Sequence, residues 1–399
     1  MSVKERFLRY VAVDSGSSDT SGTHPSTQKQ WDMARLLERE LLQMGAQDVR
    51  VSPACYVYAT IPANVEHQPA IGLIAHMDTS SSVATGPVNA RCVQYAGGDL
   101  EVGHGAVMRF AQYESLARHI GHELIVTDGA TLLGGDDKAG VAEIMAACDI
   151  LLNDPSIRHG KVCVGFTPDE EIGEGADLFD IAGFGADFAY TVDGGRAGEL
   201  ECENFNACTA MVTVRGFNIH PGSAKNKMKN ANRMAVEFAG MMPDSETPEH
   251  TEQREGFYHL SSILGDEVEA KLRYIIRDHD RAKFELRKER IQAVARYLNG
   301  KYGEGSFEVS LKDTYYNMKE IIDRHPEIVR RAMDAIRAAG DEPVLVPIRG
   351  GTDGARLSYA GLPCPNLPTG GYNMHGVLEY VSVPEMERVT RMLVELVRA

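Results

Sequence analysis

Apolar positions along the chain first recur at helical spacing. In STQKQWDMARLLERELLQMG, residues 26–45, Trp31, Ala34, Leu37, Leu41 and Leu42 share a face between a Ser/Thr start and a closing Gly45. That pattern predicts an amphipathic helix. The next apolar run, AIGLIAHMD, is short and continuous before it turns polar, as a buried strand does. KAGVAEIMAACDILLND (138–154) predicts a helix, and KVCVGFTP (161–168) and DFAYTVDGG (187–195) predict strands. Strands separated by helices predict an α/β fold with a mostly parallel sheet, whose active groups gather at the carboxyl ends of strands.

From about residue 207 the pattern changes. CTAMVTVRGF predicts a strand, NKMKNANRMAVEFAGMM a helix, EAKLRYIIRDHD a strand, RAKFELRKERIQAVARYLNGKYG a long charged helix and SFEVSLKDTYYN a strand. This is a smaller α+β domain inserted into the first. The α/β texture resumes with the helix HPEIVRRAMDAIRAAG and the Gly-rich IRGGTDGARLSYAGLPCPNLPTGGYNMHG. The expected organisation is therefore 1–206, the first part of an α/β domain; 207–316, the insertion; and 317–399, the second part. A chain of 399 residues is long enough for two domains.

Charged residues stand where these elements end. His76 and Asp78 follow the strand at 71–75, two positions apart, so in an extended chain they face the same way. A carboxylate behind a histidine fixes the tautomer of a metal-bound imidazole. Four more polar clusters lie at element ends: Asp136 and Asp137 in LLGGDDKAG, Asp169, Glu170 and Glu171 in FTPDEEIGEG, Asp193 in YTVDGG and His375 in GGYNMHG. Each alone is an ordinary cap or solvated loop. Together they offer two histidines and several carboxylates, the donor set of Zn²⁺, Mn²⁺ or Co²⁺.

Composition narrows the partners. A formal net charge of −16 disfavours nucleic acid and anionic membrane surfaces. Lys4, Glu5, Arg6 and Arg9 interrupt the first apolar residues, so no signal peptide is expected, and no run approaches the roughly 20 apolar residues of a membrane span. Seven scattered cysteines without a CxxC pair read as reduced thiols of a cytoplasmic protein. No GxxxxGK[ST] is present, and LLGGDDKAG puts carboxylates where a phosphate would sit.

In order and spread, HMDT, TLLGGDDKAGVAEIM, FTPDEEIG, YTVDGG, IHPGSAKNKMKNA, YIIRDHDR, IRGGTDGA and GGYNMHG resemble the tripeptide-aminopeptidase branch of the M20 metallopeptidase family, nearly end to end. The resemblance implies a zinc-exopeptidase-like catalytic domain and a lid formed by the insertion. It makes His76, Asp136, Glu171, Asp193 and His375 the ligands of two divalent metal ions, with Zn²⁺ the first expectation, and Asp136 the bridge. A cis peptide is implied after Asp136. Asp78 becomes the clamp on His76, and Glu170 the general base and acid acting on a metal-bridged water. Because adjacent strand residues face opposite ways, the division between Glu170 and Glu171 requires a turn after Pro168. His220 is implied as an oxyanion donor, Arg277 as a substrate anchor on the lid and Arg349 as a second anchor on the catalytic domain. The implied partner is a short peptide, and the implied assembly a homodimer or a monomer.

One segment departs from the family pattern. SSSVATGPVNARC follows HMDT where a short Pro-Asp…Gly type segment is expected, which leaves the ligands intact and alters the entrance loop. Another M20 activity (dipeptidase, carboxypeptidase or N-acyl-amino-acid deacylase) remains open, as does an inactive metal- or peptide-binding protein. Glu170 speaks against the last, since metal binding alone does not need it.

Overall fold

The computed structural model describes residues 1–83, 86 and 88–399. Ala84, Thr85 and Pro87, in the departing loop, lie outside the described residues. The chain divides into two compact units, Met1–Cys202 with Met318–Val346 and Thr352–Ala399, and Glu203–Asn317 with Pro347–Gly351.

The first unit is built on an eight-stranded sheet in the order Gln47–Val51, Val57–Ile61, Val162–Thr167, Ile71–His76, Phe188–Gly194, Asn366–Pro368, Glu199–Asn204, Val344–Ile348. Its four central strands, from Val162–Thr167 to Asn366–Pro368, run parallel. Antiparallel strands flank them. Ile71–His76 is buried along its whole length because both faces are covered. Leu73 and Ala75 join the large core with the helices Val3–Val11, Gln30–Met44, Gly135–Asn153 and Val383–Val397. On the other face Ile74 packs with Cys163, Phe179, Phe184 and Leu357. A central parallel strand with two covered faces reads as a continuous apolar run, and only its last residue, His76, breaks that run. Register sets Ile74 beside Thr191, which brings His76 level with Asp193 on the neighbouring strand.

The second unit is a four-stranded sheet in the order Phe257–Gly265, Glu269–Asp278, Asn206–Arg215, Phe307–Tyr315, with all its pairs antiparallel. Burial alternates along Glu269–Asp278, and the inward residues Ala270, Leu272, Tyr274 and Ile276 meet the helices Ala231–Gly240 and Arg281–Tyr302. One covered face and one wet face give the strict alternation visible in sequence.

Three expectations need correction. The helix expected from residue 26 begins at Gln30, because the Ser26 backbone N–H and hydroxyl are held by Asp169 and the Thr27 hydroxyl donates to the Gly16 carbonyl. Phe257–Gly265 was not expected as a strand: it is a sheet edge carrying an exposed Leu264, so its apolar pattern is blurred. Arg349, expected on the catalytic domain, belongs to the second unit. Its guanidinium donates to the carbonyls of Thr251, Gln253 and Glu255 and lies over the rings of Phe205 and Phe257, which ties it there. Among the described residues no helix is long and apolar enough to cross a membrane.

Within the helix Gly135–Asn153, Glu143 is fully buried and neither carboxylate oxygen has a hydrogen-bond partner among the described residues. Burial, then the charges of Asp137 and Glu385, push its carboxyl well above the ordinary 4.5. A folded-state pKa above the unfolded value makes the folded state bind the extra proton, so stability is lost as pH rises from 4.5 towards that higher value. Glu143→Gln removes this term. Its thermal midpoint should rise relative to wild type as pH goes from 5 to 8, by an amount set by about 1.4 kcal/mol per pKa unit displaced. A melt series in which the variant loses stability most at high pH would show that the carboxylate is ionised and paired.

Candidate metal centre

The polar cluster forms where the parallel strands of the first unit end. His76 closes its strand, Asp193 is the next-to-last residue of Phe188–Gly194, and Val162–Thr167 delivers the acidic segment through Pro168. Asp169 has a left-handed φ of +59°, and Glu170–Ile172 forms a 3₁₀ turn. The two glutamates therefore stand on a turn, as their division of roles requires. Asp136 and Asp137 have non-helical backbone at the start of Gly135–Asn153, and the peptide between them is cis, as the resemblance implies.

Asp136 lies between two imidazoles. Its Oδ1 is 3.0 Å from His76 Nε2, which also lies 3.5 Å from Asp193 Oδ1. Its Oδ2 is 2.9 Å from His375 Nε2, which also lies 3.0 Å from Glu171 Oε2. One carboxylate thus shows one oxygen to each of two groups, His76 with Asp193 and His375 with Glu171. Glu171 Oε1 is buried without a hydrogen-bond partner among the described residues. No lysine or arginine forms an ion pair with these carboxylates among the described residues, so positive charge must come from protons or from bound cations. Both imidazoles favour the protonated form: His375 is raised to about 11 by the hydrogen bonds that its ring donates to Asp136 and Glu171, and His76 is raised by Asp193 and Asp136 against its burial. Burial pushes Asp193 to about 7 and Glu171 upward. Two imidazoles and three carboxylates, one bridging and one with an orphan oxygen, fit two divalent cations of borderline hardness.

Asp78 differs in detail from its expected role. The atom nearest His76 Nδ1 is the Asp78 backbone oxygen, at 3.0 Å, with the carboxylate Oδ1 at 3.4 Å. The buried carboxylate instead accepts the backbone N–H groups of Glu170, at 3.0 Å, and Glu171, at 3.2 Å. It fixes the imidazole and the acidic turn together, because Ile71–His76 runs parallel to Val162–Thr167 and the two strands end side by side.

Glu170 is pushed well above the ordinary carboxylate range by burial and by the charges of Asp193, Asp353 and Glu171. Asp353 was not singled out from sequence, and Asp137 was named there only as part of a polar cluster, without a role. Buried Asp353 accepts from the Thr167 hydroxyl at 2.8 Å and is raised by burial to about 6. Asp137 accepts from the backbone N–H of His76 at 3.1 Å and of Gly140 at 3.1 Å, so it orients the end of the His76 strand, and it also reaches ligand spacing with His76 and Asp193. The only available signal for Asp353 was its place in IRGGTDGA. A separate grouping of His24, Asp169 and Glu174 also reaches ligand spacing. There Asp169 is occupied by Ser26 and by the Gln30 amide, which marks it as a clamp on the acidic turn.

The remaining expected residues lie in the second unit. His220 is exposed, and its Nδ1 accepts the Gly222 N–H at 3.2 Å, as a turn cap does. Arg277 Nη1 donates to the Arg349 carbonyl at 2.9 Å, and its Nε is buried without a partner among the described residues. Neither arginine pairs with a carboxylate among the described residues.

Residues 125–399 match the sequence model of the peptidase family M20/M25/M40. The chain is 51% identical over 398 residues to a Peptidase T of Clostridium perfringens, covering 99% of this chain and 98% of that protein. It is 53% identical over 400 residues to a Peptidase T of Desulfitobacterium hafniense, covering 99% and 97%. Among solved structures, the aminopeptidase PepT from Bacillus cereus superposes with a TM-score of 0.78 at 21% identity, covering 99% and 97% of the two chains. A dinuclear metal binding peptidase of the M20 family from Bacillus subtilis superposes with a TM-score of 0.67 at 14% identity, covering 99% and 96%. At such identities these likenesses speak for the fold alone.

Proposed function

Because the chain belongs to the peptidase family M20/M25/M40, we propose that it is a dinuclear metallo-aminopeptidase that removes the N-terminal residue of tripeptides. The observation that carries this reading is Asp136, which turns one oxygen to His76 with Asp193 and the other to His375 with Glu171. These five ligands would hold the two ions, Zn²⁺ first among the candidates. Bound there, the cations would polarise the scissile carbonyl and lower the pKa of water towards neutrality.

The chain's own residues supply the rest. Glu170 takes the proton of the attacking water and returns it to the departing amine. Its burial favours the protonated form, which suits the second half of that cycle, while nearby cations favour the carboxylate needed for the first. Asp78 keeps Glu170 and Glu171 in register by holding both backbone N–H groups. In the second unit His220 would donate to the oxyanion through the ring nitrogen that the turn leaves over, and Arg277 and Arg349 would anchor substrate oxygen atoms. Arg277 supports this with a buried Nε that has no hydrogen-bond partner among the described residues, whereas Arg349 has most of its donors on backbone carbonyls. Seven free thiols support a reducing, cytoplasmic setting.

The test is a panel of unblocked tripeptides, longer peptides and N-acetyl amino acids, with chelator and with Zn²⁺ or Co²⁺ restored. Tripeptides should release their first residue, chelator should stop it and metal should restore it. Efficient cleavage of N-acetyl amino acids with none of tripeptides would assign the protein to the deacylases instead.

A further inference from the structure

Glu379 lies four residues beyond His375, is 1% exposed, and has its carboxylate filled by the backbone of the segment that carries Asp136. Its Oε2 accepts the N–H groups of Leu133, at 2.8 Å, and Gly134, at 2.9 Å, and its Oε1 accepts that of Asp136 at 3.0 Å. Three N–H groups from one short segment converge on one anion, as in a backbone nest. The wrap is close: Gly134 has a φ of +76°, and a Cβ on Gly135 would fall 2.9 Å from Glu379 Oε1. Glycine at both positions is what lets the chain follow the carboxylate.

Glu379 is itself anchored. Its N–H donates to the Gly376 carbonyl at 3.1 Å, and the Thr127 hydroxyl donates to the Val377 carbonyl at 3.3 Å. His375 and Glu379 thus share one tethered loop, and Asp136 belongs to the loop that Glu379 holds. The two loops meet twice, at this nest and at the 2.9 Å approach of His375 Nε2 to Asp136 Oδ2. From this geometry we infer that Glu379 is a positioning residue of the metal centre, setting the Asp136 loop against the His375 loop so that Asp136 can face both halves. The inference rests on the dinuclear reading above. It needs a carboxylate of this length. Glutamine would turn an NH₂ donor towards N–H groups that need an acceptor, and aspartate is one methylene short.

The experiment is calorimetric titration of the full-length, chelator-stripped protein with Zn²⁺, well below the unfolding temperature, with thermal melts in parallel. Wild type should bind two ions. Glu379→Gln should weaken at least one site by about 10–100-fold, as loss of a group supporting a ligand does. Glu379→Asp should fall between the two. A variant that melts earlier yet binds two ions with wild-type affinity would make Glu379 a purely structural carboxylate and overturn the inference. Failure of both variants to fold would overturn it too, since no effect specific to the centre would remain. If wild type cleaves tripeptides but binds a single ion, the dinuclear premise has failed and takes the inference with it. If wild type binds two ions but cleaves no tripeptide, only the substrate assignment fails.

Discussion

Glu170→Gln should lower turnover of tripeptides by roughly 10²–10⁴, the usual contribution of a positioned general base, while metal content stays near that of wild type. Glutamine keeps the volume of the side chain and cannot accept the water's proton. Its backbone N–H still reaches Asp78 Oδ1, so the acidic turn keeps its shape. Glu171→Gln should behave differently, because Glu171 Oε2 faces His375 and its other oxygen is buried without a partner among the described residues. There, metal affinity should fall by about 10–100-fold or more, given that even groups behind the ligands cost that much. Metal analysis beside steady-state kinetics checks the pair. If the Glu170 variant loses metal while the Glu171 variant keeps both metal and activity, the two roles are reversed. Wild-type rates in both would remove the catalytic reading.

The largest loss is expected at Asp136. An amide in its place has a single oxygen to offer, and its nitrogen would meet either His76 Nε2 or His375 Nε2, which lie 3.0 and 2.9 Å from the present carboxylate oxygens. Asp136→Asn should therefore weaken both metal sites together, each by about 10–100-fold or more, and activity should fall below that of Glu170→Gln because the cations' contribution goes with them. Excess Zn²⁺ should recover part of the activity of this variant and none of that lost in Glu170→Gln. An Asp136→Asn protein that binds one ion normally would mean that Asp136 serves a single site.

Much of this arrangement was legible in sequence, for physical reasons. The central strand shows its burial in the run before His76, and the alternation along Glu269–Asp278 reveals one wet face. Each expected ligand is a polar residue at or near an element end, where alone it would pass for a cap or a loop residue, and only the set of two histidines and several carboxylates marks a donor set. Less legible were the groups that act through backbone N–H. Asp78, Asp137 and Glu379 accept main-chain donors from segments far away in sequence, and nothing in residue type or spacing marks that relation. The spacing of Asp78 from His76 suggested a companion of the imidazole, but its hold on residues 170 and 171 depends on how two strand ends meet. Arg349 was misassigned because a five-residue return, Pro347–Gly351, leaves no compositional mark in a Gly-rich segment. The helix start at Gln30 was missed because Ser26 looks like a cap, and its cap-forming groups are instead taken by Asp169.

The most direct measurement is anomalous scattering at the metal absorption edges from crystals grown with Zn²⁺. Two peaks should appear, one within about 2.0–2.2 Å of His76 and Asp193 and the other within that distance of His375 and Glu171, with one Asp136 oxygen on each. A single peak, or a peak at His24, Asp169 and Glu174 with none at Asp136, would contradict the dinuclear centre on which the proposed chemistry depends.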